Sequence, residues 1–467
     1  MKKESFFKVF LITLGLGLVT VSAFFVRVEN FKAAPLRSID EMVYFRMAKQ
    51  VAVNPAQYNT IAYGQELAAE GRRLPEYFFL PLFKHPPLFT FLCAAVMSFF
   101  GGHMLSGAYV SAFFGVLIIP LTFFLGQLMF DWRVGLLAAL WMTVDPVYMI
   151  TAQKFWMDTT LAFWMVASLY LFTAAVRTEK DALFLWSGFA AGLAVNTKYP
   201  GILPVGVFLA FAFFYRRSLF KRASFWGSVF IPWLMLIPWF LWNVHIYGPQ
   251  FFLEQGQIHN DAQRVATELT RPAMLACFGL LAFAAFLFFK KRPPAAPSAQ
   301  SGLFLSRPGR IGLFILLALI APEIGNSFLH VLPKTSWTSG AFMGEWPTFY
   351  FGQFVEFSPF YLFAIVALFC REASDSRRIA QWSVIIILTF FILWRNYQSR
   401  YILAVLPFLA ILGSHFFLYL FQRLRALKAF FPRVALTGLL LSWLIFAVAK
   451  TAYINAVLST PHNFCFY

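Results

Sequence analysis

The chain runs to 467 residues, of which 60% are hydrophobic, 20% aromatic and only 12% charged, about half the charge of a soluble domain. So little charge cannot cover a globule of this size, which excludes an ordinary cytoplasmic enzyme, a disordered chain and a fibrous protein and leaves a polytopic α-helical membrane protein. The net charge of +18 comes from 38 Lys and Arg against 20 Asp and Glu; the basic residues gather between apolar runs and read as positive-inside anchors against anionic lipid, not as a nucleic-acid surface.

Met1-Lys2-Lys3 precedes an apolar run from about Phe6 to Val26. The run is too long for a signal-peptide core and long enough to span a bilayer, so an uncleaved first helix with its N-terminus inside is expected. Residues 27–85 form the largest hydrophilic loop, which that crossing places outside. Apolar runs follow near 106–129, 133–150, 160–176, 183–198, 200–215, 224–246, 271–290, 310–330, 353–370, 379–394, 399–421 and 432–455. Basic loops at Arg216–Arg222, Lys290–Arg292, Arg371–Arg378 and Arg423–Arg433 read as cytoplasmic. Counting from them puts 151–159, 247–270 and 331–352 outside. Pro87 to Phe100 is apolar but short for a span, and a crossing there would carry Asp158 inside; a re-entrant or interfacial helix is preferred. The expectation is an all-α membrane protein of about 13 transmembrane helices (roughly 12–14), with a large first external loop carrying short interfacial helices. A module at 1–215 is followed by a transmembrane helical region at 216–467, which carries a Pro/Ala/Ser linker at 292–302 in a cytoplasmic loop near 291–309.

Five places hold charged residues that stand out from the pattern of apolar runs. Asp40-Glu41, with Tyr44 on the same helical face as Asp40, opens the external loop; the pair suits either the first turn of a helix or catalysis. Lys84-His85-Pro86-Pro87 closes the loop, and the prolines hold Lys84 and His85 extended at the surface, as a snorkelling helix start or as a cation pair for a phosphate. Asp145-Pro146 breaks an apolar run, and Asp158 opens the next one as an N-cap or an acid. Asn196-Thr197-Lys198-Tyr199 leaves a lysine between two spans. Arg400-Tyr401 puts an arginine on the external side, against the positive-inside trend. Cys93, Cys277 and Cys370 read as small core residues. The seven histidines lack metal-binding spacing, although His245, His259 and His330 share the external side. No phosphate-binding glycine loop is present.

Taken in order, Asp-Glu with a following Tyr, His-Pro-Pro-Leu, Pro146 leading to Asp158, Thr-Lys-Tyr-Pro and Arg-Tyr before Pro407 resemble the GT-C integral-membrane glycosyltransferases. Within them the resemblance is to the branch of protein O-mannosyltransferases and lipid A aminoarabinose transferases. It covers residues 1–215 well and rests beyond that on Arg400-Tyr401 and the helical character. It implies the GT-C fold in a multi-pass protein of a bacterial inner membrane, with the site facing the periplasm or exterior. It further implies inverting, single-displacement transfer of a monosaccharide from a polyprenyl-phosphate donor to an envelope lipid, glycan or protein. Asp40 falls on the family's acidic residue at the catalytic centre, Glu41 on its partner and Asp158 on the second acidic residue. Lys84, His85, Lys198 and Arg400 are implied to hold the donor phosphate, with Tyr44 and Tyr401 supporting them. No cofactor is certain; a divalent cation is one option. The short loops 247–270 and 331–352 favour lipid or glycan acceptors over protein. The competing readings are a lipid-linked glycan flippase, polymerase or ligase, and a secondary transporter, which would show paired repeats absent here.

Overall fold

The structure, a computed structural model, describes residues 3–28, 39–74, 76–102, 104–250, 349–371, 374–394, 397–427 and 430–458, with the pairs 304–305 and 343–344. The linker, the runs at 271–290 and 310–330, most of the loops 247–270 and 331–352, Cys277, His259 and His330 lie outside these residues. Among the described residues, six helices are long and apolar enough to cross a bilayer, and a bent pair adds a seventh.

Helix α1 (Lys3–Val28) has 26 residues, about 39 Å at the helical rise, enough to cross the roughly 30 Å hydrocarbon core. Its Phe10, Leu14, Leu18 and Phe25 are exposed, as suits a surface whose solvent is lipid. The segment after α1 then folds as α2 (Ile39–Val53), α3 (Ile61–Ala69), a 3₁₀ turn at Glu76–Phe79 and α4 (Leu88–Phe100). Pro87 sits at the N-cap of α4, where the missing N–H of a proline costs nothing. Helix α4 lies along α2, with Phe89 edge-on to Tyr44 at 5.8 Å between ring centroids.

Helices α5 (Met104–Met129), α6 (Trp132–Val144), α7 (Pro146–Ala152) and α8 (Asp158–Thr178) follow. Arg27, at the end of α1, donates to the carbonyls of Met142 and Thr143 at the end of α6. Ser111 in the first turns of α5 donates to Trp156 O at 2.8 Å, just before α8. These contacts bring the end of α1 and the start of α5 toward the α6–α8 connection, with α4 between them in the chain. The α6–α7 break bends by 61°. Asp145 makes it: its backbone leaves α6, its Oδ1 accepts the Tyr148 N–H that opens α7 at 2.8 Å, and Pro146 cannot continue the ladder.

Helix α9 (Asp181–Thr197) returns beside α8, and a 3₁₀ turn at Tyr199–Ile202 leads into α10 (Leu203–Tyr215) and α11 (Ala223–Tyr247). The turn doubles back so closely that a Cβ on Gly201 would collide with the Ala194 backbone. Helices at Phe349–Phe357, Tyr361–Phe369, Asp375–Leu393, Leu406–Ala426 and Phe430–Leu458 complete the bundle, with two-residue antiparallel pairings of 304–305 with 370–371 and 343–344 with 397–398. At the end of the bundle away from α2, Arg216 meets Asp375 at 2.8 Å and Arg222 meets Glu179 at 2.8 Å. Two of the basic connections that read as cytoplasmic, 216–222 and 371–378, thus share one level with the α8–α9 turn.

Candidate active site

The end of the bundle beside α2 gathers four charged groups from distant parts of the chain. Asp40 stands in the first turn of α2, Asp158 opens α8, Lys198 follows the last residue of α9, and Arg400 lies in a 3₁₀ turn, Ser399–Ile402. The Arg400 guanidinium donates through Nη2 to Asp40 Oδ2 at 2.7 Å and holds Nε 3.8 Å from Asp158 Oδ2. Lys198 Nζ donates to Asp158 Oδ1 at 3.1 Å. One planar cation thus bridges two carboxylates that would otherwise repel.

Aromatic faces support the cations. Arg400 lies 4.3 Å from the Trp156 ring centroid, and Lys198 lies 4.5 Å from that of Tyr401, both within cation–π range. Gln398 Oε1 accepts Arg400 Nε–H at 2.7 Å, fixing the plane of the fork. Trp156 and Gln398 belong to the cluster but carry no charge, so a search for costly charges passes over them; both contact Arg400.

The two carboxylates differ in access. The Asp40 side chain is 42% exposed and that of Asp158 only 4%. Burial pushes the Asp40 carboxyl up, but Arg400, by charge and hydrogen bond, with Lys84 and Lys198 behind it, more than offsets this and holds it below the ordinary carboxylate range. Arg400 loses some of its preference for charge through burial and regains more from Asp40 and Asp158, so its pKa rises. Tyr44 packs edge-on to Phe83 and Phe89. Burial, then the charges of Asp40 and Asp158, push its hydroxyl well above the usual phenol value, so it stays protonated.

Two sequence expectations need correction. Glu41 does not join Asp40 in the cluster. Its side chain is 1% exposed, its Oε1 accepts the Phe155 N–H at 3.2 Å and its Oε2 lies 3.8 Å from Lys154 Nζ; successive residues on a helix point about 100° apart. His85, expected as a cation, sits where the fold disfavours its proton. Burial first, then Lys84, Lys198 and Arg400, push its pKa well below the usual value, and its Nδ1 is buried without a hydrogen-bond partner among the described residues. A histidine whose proton is disfavoured by the fold binds it more readily when unfolded, so the fold loses stability as pH falls below about 6.5 toward the depressed value. Thermal melts from pH 7.5 to 5 should therefore show a smaller acid-side fall for His85→Gln than for wild type. The difference should reach at most about 1.4 kcal/mol per pH unit; parallel curves would place the imidazole in solvent.

Other singled-out residues lie apart. Asp145 accepts the Tyr361 hydroxyl at 2.7 Å and braces the α6–α7 break. Asn196 donates to the carbonyls of Gly192 and Met235, tying α9 to α11. Among the described residues no group of three His, Cys, Asp or Glu side chains is placed to hold a metal ion.

Residues 84–242 match the family of dolichyl-phosphate-mannose-protein mannosyltransferases, whose matched segment holds Lys84, His85, Asp158 and Lys198. No curated protein matches the chain. Over 98% of its length it superposes on the archaeal oligosaccharyltransferase AglB from Archaeoglobus fulgidus, solved with an inhibitory peptide and a dolichol-phosphate, at a TM-score of 0.60 and 17% identity. The chain has the GT-C fold. It spans 57% of the AglB chain, so the match is to part of that protein. A second structure of the Archaeoglobus fulgidus enzyme, tethered to an acceptor peptide containing the NVT sequon, aligns with 99% of this chain and 56% of its own at a TM-score of 0.58 and 16% identity. ArnT from Cupriavidus metallidurans, bound to undecaprenyl phosphate, aligns at a TM-score of 0.42 and 17% identity, over 87% of this chain and 77% of its own. In this GT-C fold the cluster is built by both parts of the chain, because Arg400 comes from the region after residue 215.

Proposed function

We propose that the chain is a glycosyltransferase that moves a monosaccharide from a polyprenyl-phosphate donor to an acceptor hydroxyl at the outer face of the membrane, with inversion in a single displacement. The observation that carries this reading is the charge arrangement. Asp40 and Asp158 supply two negative charges, whereas Lys84, Lys198 and Arg400 supply three positive ones beside a neutral His85. The surplus suits a phosphate anion, and the cluster lies at the ends of membrane helices, where a lipid-linked phosphate is held.

In this reading the acceptor oxygen attacks the anomeric carbon as the bond from that carbon to the phosphate oxygen breaks. The acceptor proton passes to Asp40, the more accessible carboxylate, and the polyprenyl phosphate leaves as an anion. Lys198 and Arg400 stabilise the charge that develops on it by preorganised electrostatics. Docking of the phosphate against Arg400 weakens the hold of that guanidinium on Asp40 and so raises the basicity of the carboxylate when the proton must move. Asp158, nearly buried and with both oxygens near cations, orients Lys198 and Arg400. An acceptor among envelope lipids or glycans fits the short external loops read from the sequence.

A divalent cation does not fit this cluster. The carboxylates it would take are Asp40 and Asp158, and Arg400 already bridges them while Lys198 holds the second. The test is purified enzyme in nanodiscs with a panel of polyprenyl-phosphate sugars, following loss of lipid-linked sugar with and without EDTA. One donor should be consumed, at rates within about twofold in the two conditions. Consumption of none, with movement of a fluorescent lipid-linked sugar across the bilayer instead, would favour the flippase reading. A chelator-induced loss restored by Mn²⁺ would overturn the metal-independent reading.

A further inference from the structure

Glu41 and Lys154 form an ion pair inside the protein, with side chains 1% and 0% exposed and 3.8 Å between Oε2 and Nζ. Burying two charges is expensive, and such a pair is weak evidence for stability, since apolar side chains of similar volume fill the space as well or better. Its position offers another role. Glu41 follows Asp40 in the chain. Lys154 stands in the turn between α7 and α8 that also delivers Trp156, against which Arg400 lies, and Asp158. The other Glu41 oxygen takes the Phe155 N–H. The Phe155 ring packs edge-on to Phe45 of α2 and Phe89 of α4 and fills a cradle at Gly107 that a Cβ would close.

We propose that Glu41 and Lys154 are positioning residues, a buried latch that fixes the segment bearing Asp40 against the segment bearing Trp156 and Asp158 and so sets the spacing that Arg400 bridges. The pair is neutral as a whole, so it does this without changing the net charge of the reaction cluster. The proposal rests on the glycosyl-transfer reading for its kinetic consequence but not for its structural one.

Three variants test it. Glu41→Met/Lys154→Met removes the charges at similar volume and also removes the acceptor for the Phe155 N–H. Glu41→Gln/Lys154→Met removes the charges but keeps that acceptor. Asp40→Asn is the reference for loss of a catalytic carboxylate. Amide hydrogen exchange of peptides covering 150–157, measured in nanodiscs without substrate, reads the latch directly. Exchange should quicken in the Met/Met variant and return toward wild type in the Gln/Met variant. On the polyprenyl-phosphate sugar that wild type consumes, the Met/Met variant should lose on the order of 10²-fold in kcat, as about 1 Å of misplacement does, with donor KM within a few-fold. The Gln/Met variant should recover to within about tenfold of wild type.

A Met/Met variant with wild-type exchange and kcat overturns the proposal. So does a folded Gln/Met variant as inactive as Asp40→Asn, which would make Glu41 itself a catalytic residue. If the Met/Met variant does not fold, the Gln/Met variant decides alone: wild-type-like exchange and kcat support the latch, and inactivity with wild-type exchange overturns it. Absence of any glycosyl transfer by wild type would defeat the functional reading while the exchange comparison still judged the latch.

Discussion

Asp40→Asn should leave a folded, monodisperse protein whose kcat is lower by ~10²–10⁴-fold, the usual worth of a general base. The sequence offered two roles for this residue, and the structure separates them. A capping aspartate spends its oxygens on the free N–H groups of the first turn, whereas Asp40 directs its carboxylate to Arg400 and takes no backbone N–H among the described residues. Asparagine would cap as well as aspartate, so near-normal activity in the variant would remove Asp40 from the mechanism. Asp40→Glu retains the carboxylate but displaces it by about one methylene, and should cost on the order of 10²-fold. The acid limb of the wild-type rate profile should lie below the ordinary carboxylate range. Because Arg400 depresses the pKa of Asp40, the reactive ionised form is present above the depressed value and is lost only as pH falls through it.

Arg400→Ala should be nearly as damaging, by on the order of 10²–10³-fold in kcat/KM, as for the loss of a preorganised donor at a developing anion. Arg400→Lys should recover little, since a point charge cannot reproduce a fork that bridges two carboxylates and lies against Trp156. Arg400→Gln should also move the acid limb upward, because burial would then act on Asp40 with less opposition. Lys198→Ala is expected to raise donor KM more than it lowers kcat, the pattern of a contact made in both ground and transition states. Wild-type turnover of a lipid-phosphate donor by Arg400→Ala would remove the phosphate assignment.

Much of this arrangement was legible because charge inside an apolar chain is expensive and therefore conspicuous. Lys198 and Arg400 stood out that way, Asp40 and Asp158 as acids at helix starts, and the structure brings all four together. Asp145-Pro146 foretold the helix break. The roles of Glu41 and His85 were not legible. Whether Asp40 or Glu41 faces Arg400 depends on how α2 is rotated against the α7–α8 turn, which no local pattern records. The proton on His85 is disfavoured first by burial, then by its neighbour Lys84 and by Lys198 and Arg400, 113 and 315 residues further along the chain. Lys154 was hidden for a related reason: in a polar loop its charge looked inexpensive, and only the packing of Phe155 into α2, α4 and α5 shows that it is buried.

The contact between Asp40 and Arg400 spans 360 residues of chain. At a synthesis rate of about 5–20 residues per second, roughly 20–70 s separate the appearance of the carboxylate from that of its guanidinium. During that interval Asp158 and Lys198, 40 residues apart, are already made, but the bridge between the two acids is not. An unfinished chain therefore holds three of the four charged groups, and the cluster is complete only when the turn at Ser399–Ile402 has been made.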